Sequence, residues 1–200
     1  MDLATLLAGA GFGIVDGPLE DPDGVHRAQV VREWTIADTV GPGMRVLVCG
    51  VNPSPSAADA GVGYARPGNR FWPAALAAGL VDTDRDPVAA LARGVGMTDF
   101  AKRPTRTATE VAVEEYEAGF ARVSAIAEWL RPGAVCFVGL SGWRTVVDPR
   151  AVAGFQPTKV GGRPAYVMPS TSGLNARTPL DALAGHLVEA VTAGQATGGG

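Results

Sequence analysis

The sequence contains little cysteine, little histidine and no long apolar run. Its 200 residues include two cysteines, Cys49 and Cys136, and two histidines, His26 and His186. Both cysteines lie in predicted buried strands, so we expect reduced core thiols and a cytoplasmic protein rather than a disulfide framework. The histidines are far apart, and no cluster of His, Cys and Asp has ligand spacing, so no metal site is predicted. No apolar run approaches the roughly 20 residues that cross a bilayer, so we expect no membrane span.

Basic charge is also scarce, and it is unevenly distributed. The first residues lack the basic segment that opens a signal peptide, so none is predicted. The net charge of −3 argues against a protein that coats nucleic acid without specificity. Residues 1–43 carry two arginines against seven acidic residues, whereas residues 151–180 carry no acidic residue. Local basic patches such as Lys102, Arg103 and Arg106 would therefore face phosphates, with an ordinary solvated surface as the alternative.

Length and composition indicate one globular domain with a sizeable core. The 200 residues are 46% hydrophobic, which is typical of a folded chain. We expect an extension at residues 1–41, the main domain at residues 42–193 and a disordered tail at residues 194–200. Within the extension, the sequence predicts a helix at residues 3–9, a loop at 13–24 and an irregular helix or strand at 25–35.

Short apolar runs alternate with helical segments along the main domain. Buried strands are predicted at residues 44–49, 134–138 and 165–168. Helices are predicted at residues 71–80, 87–93 and 110–130, after Gly139 with Ser141 as the cap, and from Thr178 onwards. Strands that alternate with helices predict a parallel α/β sheet.

Residues 46–72 contain the most informative pattern of the chain. A predicted buried strand ends at Gly50, and Asn52 follows in a turn that prolines make rigid. In open α/β sheets ligands bind at the carboxyl ends of strands, so Asn52 is a candidate site residue, with capping of its own turn as the alternative. Tyr64 lies in a glycine-rich loop, where an aromatic ring is expected to pack or to stack on a ligand.

Three motifs follow one another in the sequence: GVNPS at residues 50–54, YARPGNRFW at 64–72 and MPSTSGL at 168–174. Together they resemble the mismatch-specific uracil/thymine DNA glycosylases of the uracil-DNA glycosylase superfamily, from about residue 42 to the last helix. The resemblance implies an α/β fold of three layers, αβα, with a central four-stranded parallel sheet. It also implies a monofunctional enzyme that hydrolyses the N-glycosidic bond of uracil in G·U mismatches of double-stranded DNA and initiates base excision repair. Thymine in G·T mismatches and other modified pyrimidines form a wider set of candidate substrates.

Such a reaction takes the target base out of the duplex, so it needs a placed water, a stacking surface and a side chain that fills the gap. We expect the amide oxygen of Asn52 to hold the water. We expect Tyr64 to stack on the flipped base. The resemblance implies that backbone N–H groups near Val51 and Tyr64 bind the uracil oxygens. Asn69 is expected to brace this loop.

The motifs depart from the family pattern at two places. Ser54 replaces a glycine, and its side chain is expected to narrow the pocket near the 5-position of the base and to disfavour thymine. The small side chain of Ala57 would leave room there. Ser170 lies where the family often has asparagine. These departures concern the range of substrates rather than the class of reaction.

The late motif is expected to contact the DNA. Hydroxyl groups and glycine let a phosphate approach closely, and Leu174 is the candidate for the apolar side chain that fills the vacated stack. A turn that caps the last helix is the alternative. Residues 175–177 are expected near the widowed guanine. The expected DNA-binding residues are Ser172, Gly173, Leu174, Asn175 and Arg177.

No cofactor is expected, and two cysteines are too few for the iron–sulfur cluster of some members of the superfamily. The expected partner is double-stranded DNA with a mismatched or damaged base, bound by a monomer in the cytoplasm or, in a bacterium, on the nucleoid. A nucleotide-binding Rossmann-type domain is disfavoured, because the glycines at residues 61–63 lack a third glycine at the required spacing. A damaged-DNA sensor that binds without cutting is the alternative, because an amide is a weaker base than a carboxylate.

Overall fold

The computed structural model describes residues 1–20, 22–175 and 177–196. The strands are β1 (Phe12–Glu20), β2 (His26–Arg32), β3 (Val46–Gly50), β4 (Val95–Asp99), β5 (Ala134–Val138), β6 (Gly154–Val160) and β7 (Arg163–Met168). The helices are α1 (Leu3–Gly9), α2 (Pro55–Ala60), α3 (Phe71–Ala77), α4 (Pro87–Ala92), α5 (Val113–Leu130), α6 (Leu140–Val146) and α7 (Leu180–Ala196), with a 3-10 turn at Ala108–Glu110. β1 and β2 form a hairpin, and the other strands form one sheet in the order β4-β3-β5-β7-β6.

The central sheet is parallel except at one edge. β4, β3, β5 and β7 run parallel, and β6 pairs with β7 in the antiparallel direction. Every residue of β3 and β5 is buried, which explains why both are continuous apolar runs without alternation. The predicted α/β class with a parallel core is confirmed, and β6 adds a fifth strand. The sequence did not predict β6, because most of its residues are at least partly exposed and it contains Pro157, which is typical of an edge strand.

Helices cover both faces of this sheet and complete the three layers. Val46 and Val48 of β3 face a core that α3 and α7 close, whereas Leu47 and Cys49 face a core that α5 and α6 close. Neighbouring strand residues alternate between the two cores, as the two-residue period of a strand requires. This arrangement brings the segments that follow β3, β4, β5 and β7 together at one end of the sheet.

The N-terminal residues form more regular structure than the sequence predicted. The helix at residues 3–9 is present as α1, but the loop predicted at residues 13–24 is wrong, because most of it belongs to β1. Both strands of the hairpin are largely exposed, so they lack the apolar alternation that marks a half-buried strand. Thr39 forms an antiparallel bridge with Met97, which attaches the end of this region to β4.

Two helix starts differ from the predicted ones. The chain turns at Gly139 with a φ of 101°, and this residue occupies the cap position of α6, so Ser141 lies inside the helix and does not cap it. α7 begins at Leu180 rather than at Thr178. Residues 197–200 of the predicted tail lie outside the described residues. Within the described part of the chain, no helix has the length and apolar character needed to cross a membrane.

Candidate active site

A cavity of about 670 Å³ opens at the carboxyl ends of the parallel strands, which is where ligands bind in open α/β sheets. Gly173 and Arg177 do not line it: Gly173 packs against Gly68, and Arg177 is exposed. Ala176, within the predicted guanine-contacting residues 175–177, lies outside the described residues. The other predicted site residues all line the cavity: Val51, Asn52, Ser54, Ala57, Tyr64, Asn69, Ser170, Ser172, Leu174 and Asn175.

Hydrogen bonds hold the amide of Asn52 in one orientation. Its Nδ2 donates to the Pro53 carbonyl and to Oγ1 of Thr105, both at 2.8 Å. The Thr105 hydroxyl donates to the Thr107 carbonyl at 2.7 Å, so towards Asn52 it acts as the acceptor. No hydrogen bond to Oδ1 of Asn52 occurs within the described part of the chain. This oxygen is therefore available to accept from a water or ligand in the cavity.

Thr105 is a site residue that the sequence did not identify. The segment after β4 runs beside the turn after β3, and the N–H groups of Phe100, Ala101 and Thr105 donate to carbonyls of residues 50–53. This pairing brings Thr105 next to Asn52 although 53 positions separate them. Such a contact depends on the neighbouring order of β3 and β4, which no local pattern announces.

Tyr64 lines the cavity in an unusual backbone conformation, with a φ of 60°. Its ring stacks on Phe71, with centroids 4.2 Å apart and an angle of 20° between the planes. One face of the ring is therefore covered by protein, and stacking on a base would use the other face. The hydroxyl is buried without a hydrogen-bond partner among the described residues. Burial, and secondarily the charge of Asp99, raise the pKa of Tyr64 well above its ordinary value.

Asp99 is a buried acid of the cavity that sequence analysis missed. It ends β4 as the register partner of Gly50 at the end of β3, and only 9% of its surface is exposed. Burial raises the pKa of its carboxyl to about 6, with Lys102 and Arg122 lowering it and Asp38 raising it. A signal was present in the sequence, because Asp99 ends the short run at residues 95–99 and Asn52 likewise closely follows the run that forms β3.

Asp38 forms a buried ion-pair network behind Asp99. Its carboxylate accepts from Nζ of Lys102 and from Oγ1 of Thr98, each at 2.8 Å, and from the Arg122 guanidinium. Arg122 also donates to the backbone carbonyl of Asp99. The network therefore joins the segment before β3 to the end of β4.

The basic patch predicted at residues 102–106 reaches the cavity only in part. Lys102 pairs with Asp38, and Arg103 donates to Glu115 at 2.7 Å, whereas Arg106 lines the cavity. Phosphate contacts are therefore better expected from Arg106 than from the other two. Across residues 1–20, 22–175 and 177–196, no group of three or more His, Cys, Asp or Glu is arranged to hold a metal ion.

Ser54 and Asn69 line the cavity and also begin helices. Oγ of Ser54 accepts from the Ala57 N–H at 3.3 Å, at the start of α2. Oδ1 of Asn69 accepts from the Phe71 N–H at 2.9 Å, at the start of α3. Ser54 thus places a side chain on the cavity wall, and its hydroxyl already takes part in hydrogen bonds with the Ala57 N–H and the Ser56 hydroxyl.

Arg70 holds the loop that carries Leu174. Its guanidinium donates to the Thr178 carbonyl at 2.6 Å and to the Asn175 carbonyl, and its N–H donates to the Thr171 carbonyl at 2.9 Å. Leu174 is 84% exposed at the cavity rim. Hydrogen bonds from Arg70 therefore hold the backbone of the loop, and the loop exposes an apolar side chain to solvent.

The cavity lies at the strand ends and is lined by an oriented amide, a buried acid and an aromatic ring. These features define a ligand-binding or catalytic domain of the α/β class. The model of the Uracil DNA glycosylase superfamily matches residues 37–190 of the chain, and the protein belongs to this superfamily. The match begins before the expected boundary at residue 42 and includes Asp38. Membership accounts for the fold and indicates DNA glycosylase activity on uracil, with DNA as the partner.

Proposed function

We propose that this protein is a monofunctional, mismatch-specific DNA glycosylase that removes uracil opposite guanine from double-stranded DNA. We propose further that it acts as a monomer, in the cytoplasm or on the nucleoid. The observation that carries the proposal is the orientation of Asn52, whose Nδ2 is engaged by Pro53 and Thr105. That arrangement supports Oδ1 as the acceptor for an attacking water.

The reaction breaks the bond between C1′ of the deoxyribose and N1 of the base. The bonding electron pair leaves with the base while positive charge develops on the sugar, and the water oxygen then bonds to C1′. A proton lost by the water neutralises the uracil anion, so the products are free uracil and an abasic site. Asn52 would aim the water through one hydrogen bond. An amide is a weak base, but the sugar carbon is already electrophilic when the water reaches it.

Base binding is proposed for the wall formed by Tyr64, Val51, Ser54 and Ala57. The exposed face of the Tyr64 ring would stack on the flipped base, which any pyrimidine allows. Backbone N–H groups near Val51 and Tyr64 would donate to the uracil oxygens. Ser54 would limit space near the 5-position, which makes uracil the proposed main substrate and thymine a poorer one.

DNA binding is proposed for the loop after β7, of which Ser170, Ser172, Leu174 and Asn175 line the cavity, and for Gly173 and Arg177 beside them in the sequence. Leu174 would enter the stack when the target base leaves it, and its exposure on a held loop supports this role. Ser170, Ser172 and Gly173 would lie along the phosphates. Asn175 and Arg177 would lie near the widowed guanine.

Single-turnover excision by the unmodified protein tests the proposal. The substrates are a G·U duplex, an A·U duplex and single-stranded uracil DNA, with a G·C duplex as the blank. We expect an abasic product from the G·U duplex, formed faster than from the A·U duplex because a mismatched base leaves the stack more easily. A gel shift on the G·U duplex without any abasic product would instead identify a damaged-DNA sensor.

A further inference from the structure

One residue of the cavity wall comes from the N-terminal extension. Ile36 lines the same cavity as Asn52 and Tyr64, although it precedes the region matched by the superfamily model, which begins at residue 37. Only 8% of Ile36 is exposed, yet it belongs to neither of the two cores that flank the sheet. It is therefore an aliphatic group that faces the cavity rather than the interior of the fold, and a ligand in the cavity would meet it.

The segment that carries Ile36, residues 34–36, is attached on two sides, and we call it the strap. Nε1 of Trp34 donates to Oδ1 of Asp59 in α2 at 3.0 Å. On the other side, the Thr35 hydroxyl donates to the Lys102 carbonyl, and Nζ of Lys102 donates to the Ile36 carbonyl. The turn after β3 leads into α2 and pairs with the segment after β4, so it lies between these two attachments. The strap therefore spans this turn.

The strap separates two cavities. Ile36 lines the cavity of the candidate active site, whereas Trp34 and Thr35 line a second cavity of about 510 Å³. Trp34 is also 56% exposed to solvent. A wall with open space on both sides lacks the packing contacts that hold a core residue in place. The position of Ile36 therefore depends on the hydrogen bonds of the strap.

We propose that Ile36 is a specificity-determining residue, which limits the size of the 5-substituent on the pyrimidine that the active-site cavity accepts. The inference rests on the proposed function, in which Ser54 and Ala57 face the 5-position of the base. Ser54 caps α2 and Ala57 lies within it, and the strap is bound to the same helix through Trp34 and Asp59. A 5-substituent that passes this wall would therefore meet Ile36 next.

An aliphatic side chain at this place discriminates by shape alone, because it offers no hydrogen bond. Uracil carries a hydrogen atom at the 5-position and thymine a methyl group. Fitting or excluding one such carbon in an apolar pocket changes relative rates by roughly 10- to 200-fold. A shorter side chain at position 36 should therefore favour thymine relative to uracil, and a longer one should disfavour it.

A series of side-chain sizes at position 36 tests the inference. Ile36→Val and Ile36→Ala shorten the side chain in two steps, and Ile36→Phe enlarges it. For each variant, the single-turnover rate on a G·T duplex is divided by the rate on a G·U duplex. We expect this ratio to rise from the parent to Ile36→Val and to reach about tenfold above the parent in Ile36→Ala. In Ile36→Phe it should fall below that of the parent.

Val111→Ala is the control for a general loosening of the fold. Val111 is also 8% exposed and does not line the active-site cavity, so the ratio should remain that of the parent. Thermal unfolding shows which variants are folded at the assay temperature. Should Ile36→Ala not fold, the order of Ile36→Val, the parent and Ile36→Phe still decides the question.

Trp34→Phe tests the strap separately, because it keeps an aromatic ring but removes the N–H that bonds Asp59. We expect the G·T to G·U ratio to rise by less than in Ile36→Ala, since the wall is released at one attachment only. Trp129→Phe is the matched control, because Trp129 is 55% exposed on α5 and lines neither cavity. It should keep the ratio of the parent.

A binding assay provides a readout that does not need turnover. The probes are two duplexes that carry 2′-fluoro-2′-deoxyuridine or its 5-methyl derivative opposite guanine. We expect Ile36→Ala to bind the 5-methyl probe severalfold more tightly, relative to the other probe, than the parent does. A G·T to G·U ratio that stays constant or falls as the side chain becomes shorter would overturn the inference. Absence of excision by the parent would refute the proposed function, and the ratio of the two affinities would then decide on Ile36.

Discussion

Asn52 and Ser54 lie two residues apart in one turn, yet they bear on different properties of the site. Asn52 is fixed by Thr105 and the Pro53 carbonyl, so its amide oxygen can orient a water but cannot take its proton as a carboxylate would. The proposed reaction therefore relies on the departure of the base rather than on a strong nucleophile. Ser54 is proposed to affect which base fits, because its side chain lines the cavity wall.

Substitution of Ser54 tests this assignment. We expect Ser54→Gly to raise the rate on G·T relative to G·U severalfold, because it opens space near the 5-position of the base. The loss of the cap on α2 should cost only a few tenths of a kcal/mol, since glycine is tolerated at helix starts. Excision of both substrates in single turnover gives the ratio, and thermal unfolding gives the stability. Asp86→Gly, which removes the corresponding cap of α4 from a residue that does not line the cavity, is the control. A G·T to G·U ratio that is equal in both variants would contradict the role of Ser54.

At the scale of elements, the loop after β7 depends on the start of α3. Arg70, just before α3, holds the backbone at Thr171, Asn175 and Thr178, so Leu174 stands on a supported loop. Both segments were recognised as motifs in the sequence. No pattern in the sequence indicated that the residue before α3 holds the loop after β7. It also placed the start of α7 at Thr178, whereas the helix begins at Leu180 and residues before it belong to the loop.

Removing the Leu174 side chain should affect duplex substrates most. Leu174→Ala removes the group that we propose offsets the few kcal/mol needed to flip a base, and single-stranded DNA has no such stack to fill. We expect a marked loss of excision on G·U and A·U duplexes and a much smaller loss on single-stranded uracil DNA. Stability should hardly change, because the side chain is 84% exposed.

Leu19→Ala provides the matched control for this variant, since Leu19 is 65% exposed on the hairpin and does not line the cavity. It should leave all three rates as in the parent. An equal fractional loss for Leu174→Ala on all three substrates would mean that this leucine supports the loop rather than fills the stack.

At the scale of the whole molecule, the sheet determines which residues meet. The sequence predicted β3, β5 and β7, because strands buried on both faces are continuous apolar runs. It did not predict β4, whose run is interrupted by Gly96 and Thr98 and ends in Asp99. Because β4 lies beside β3, Asp99 and Thr105 come next to Gly50 and Asn52. Local motifs thus predicted Asn52 and Tyr64, whereas Asp99 and Thr105 could be placed in the site only from the order of the strands.

The central claim is that Asn52 orients the water that removes the base, whereas other residues bind the mismatched DNA. The most direct measurement compares single-turnover excision and binding of a G·U duplex by the parent and by Asn52→Ala. We expect the variant to lose about a hundredfold or more in excision, because water placement acts in the transition state. Binding of the same duplex should remain close to that of the parent. Excision at the parent rate by Asn52→Ala would contradict the account, whatever the binding.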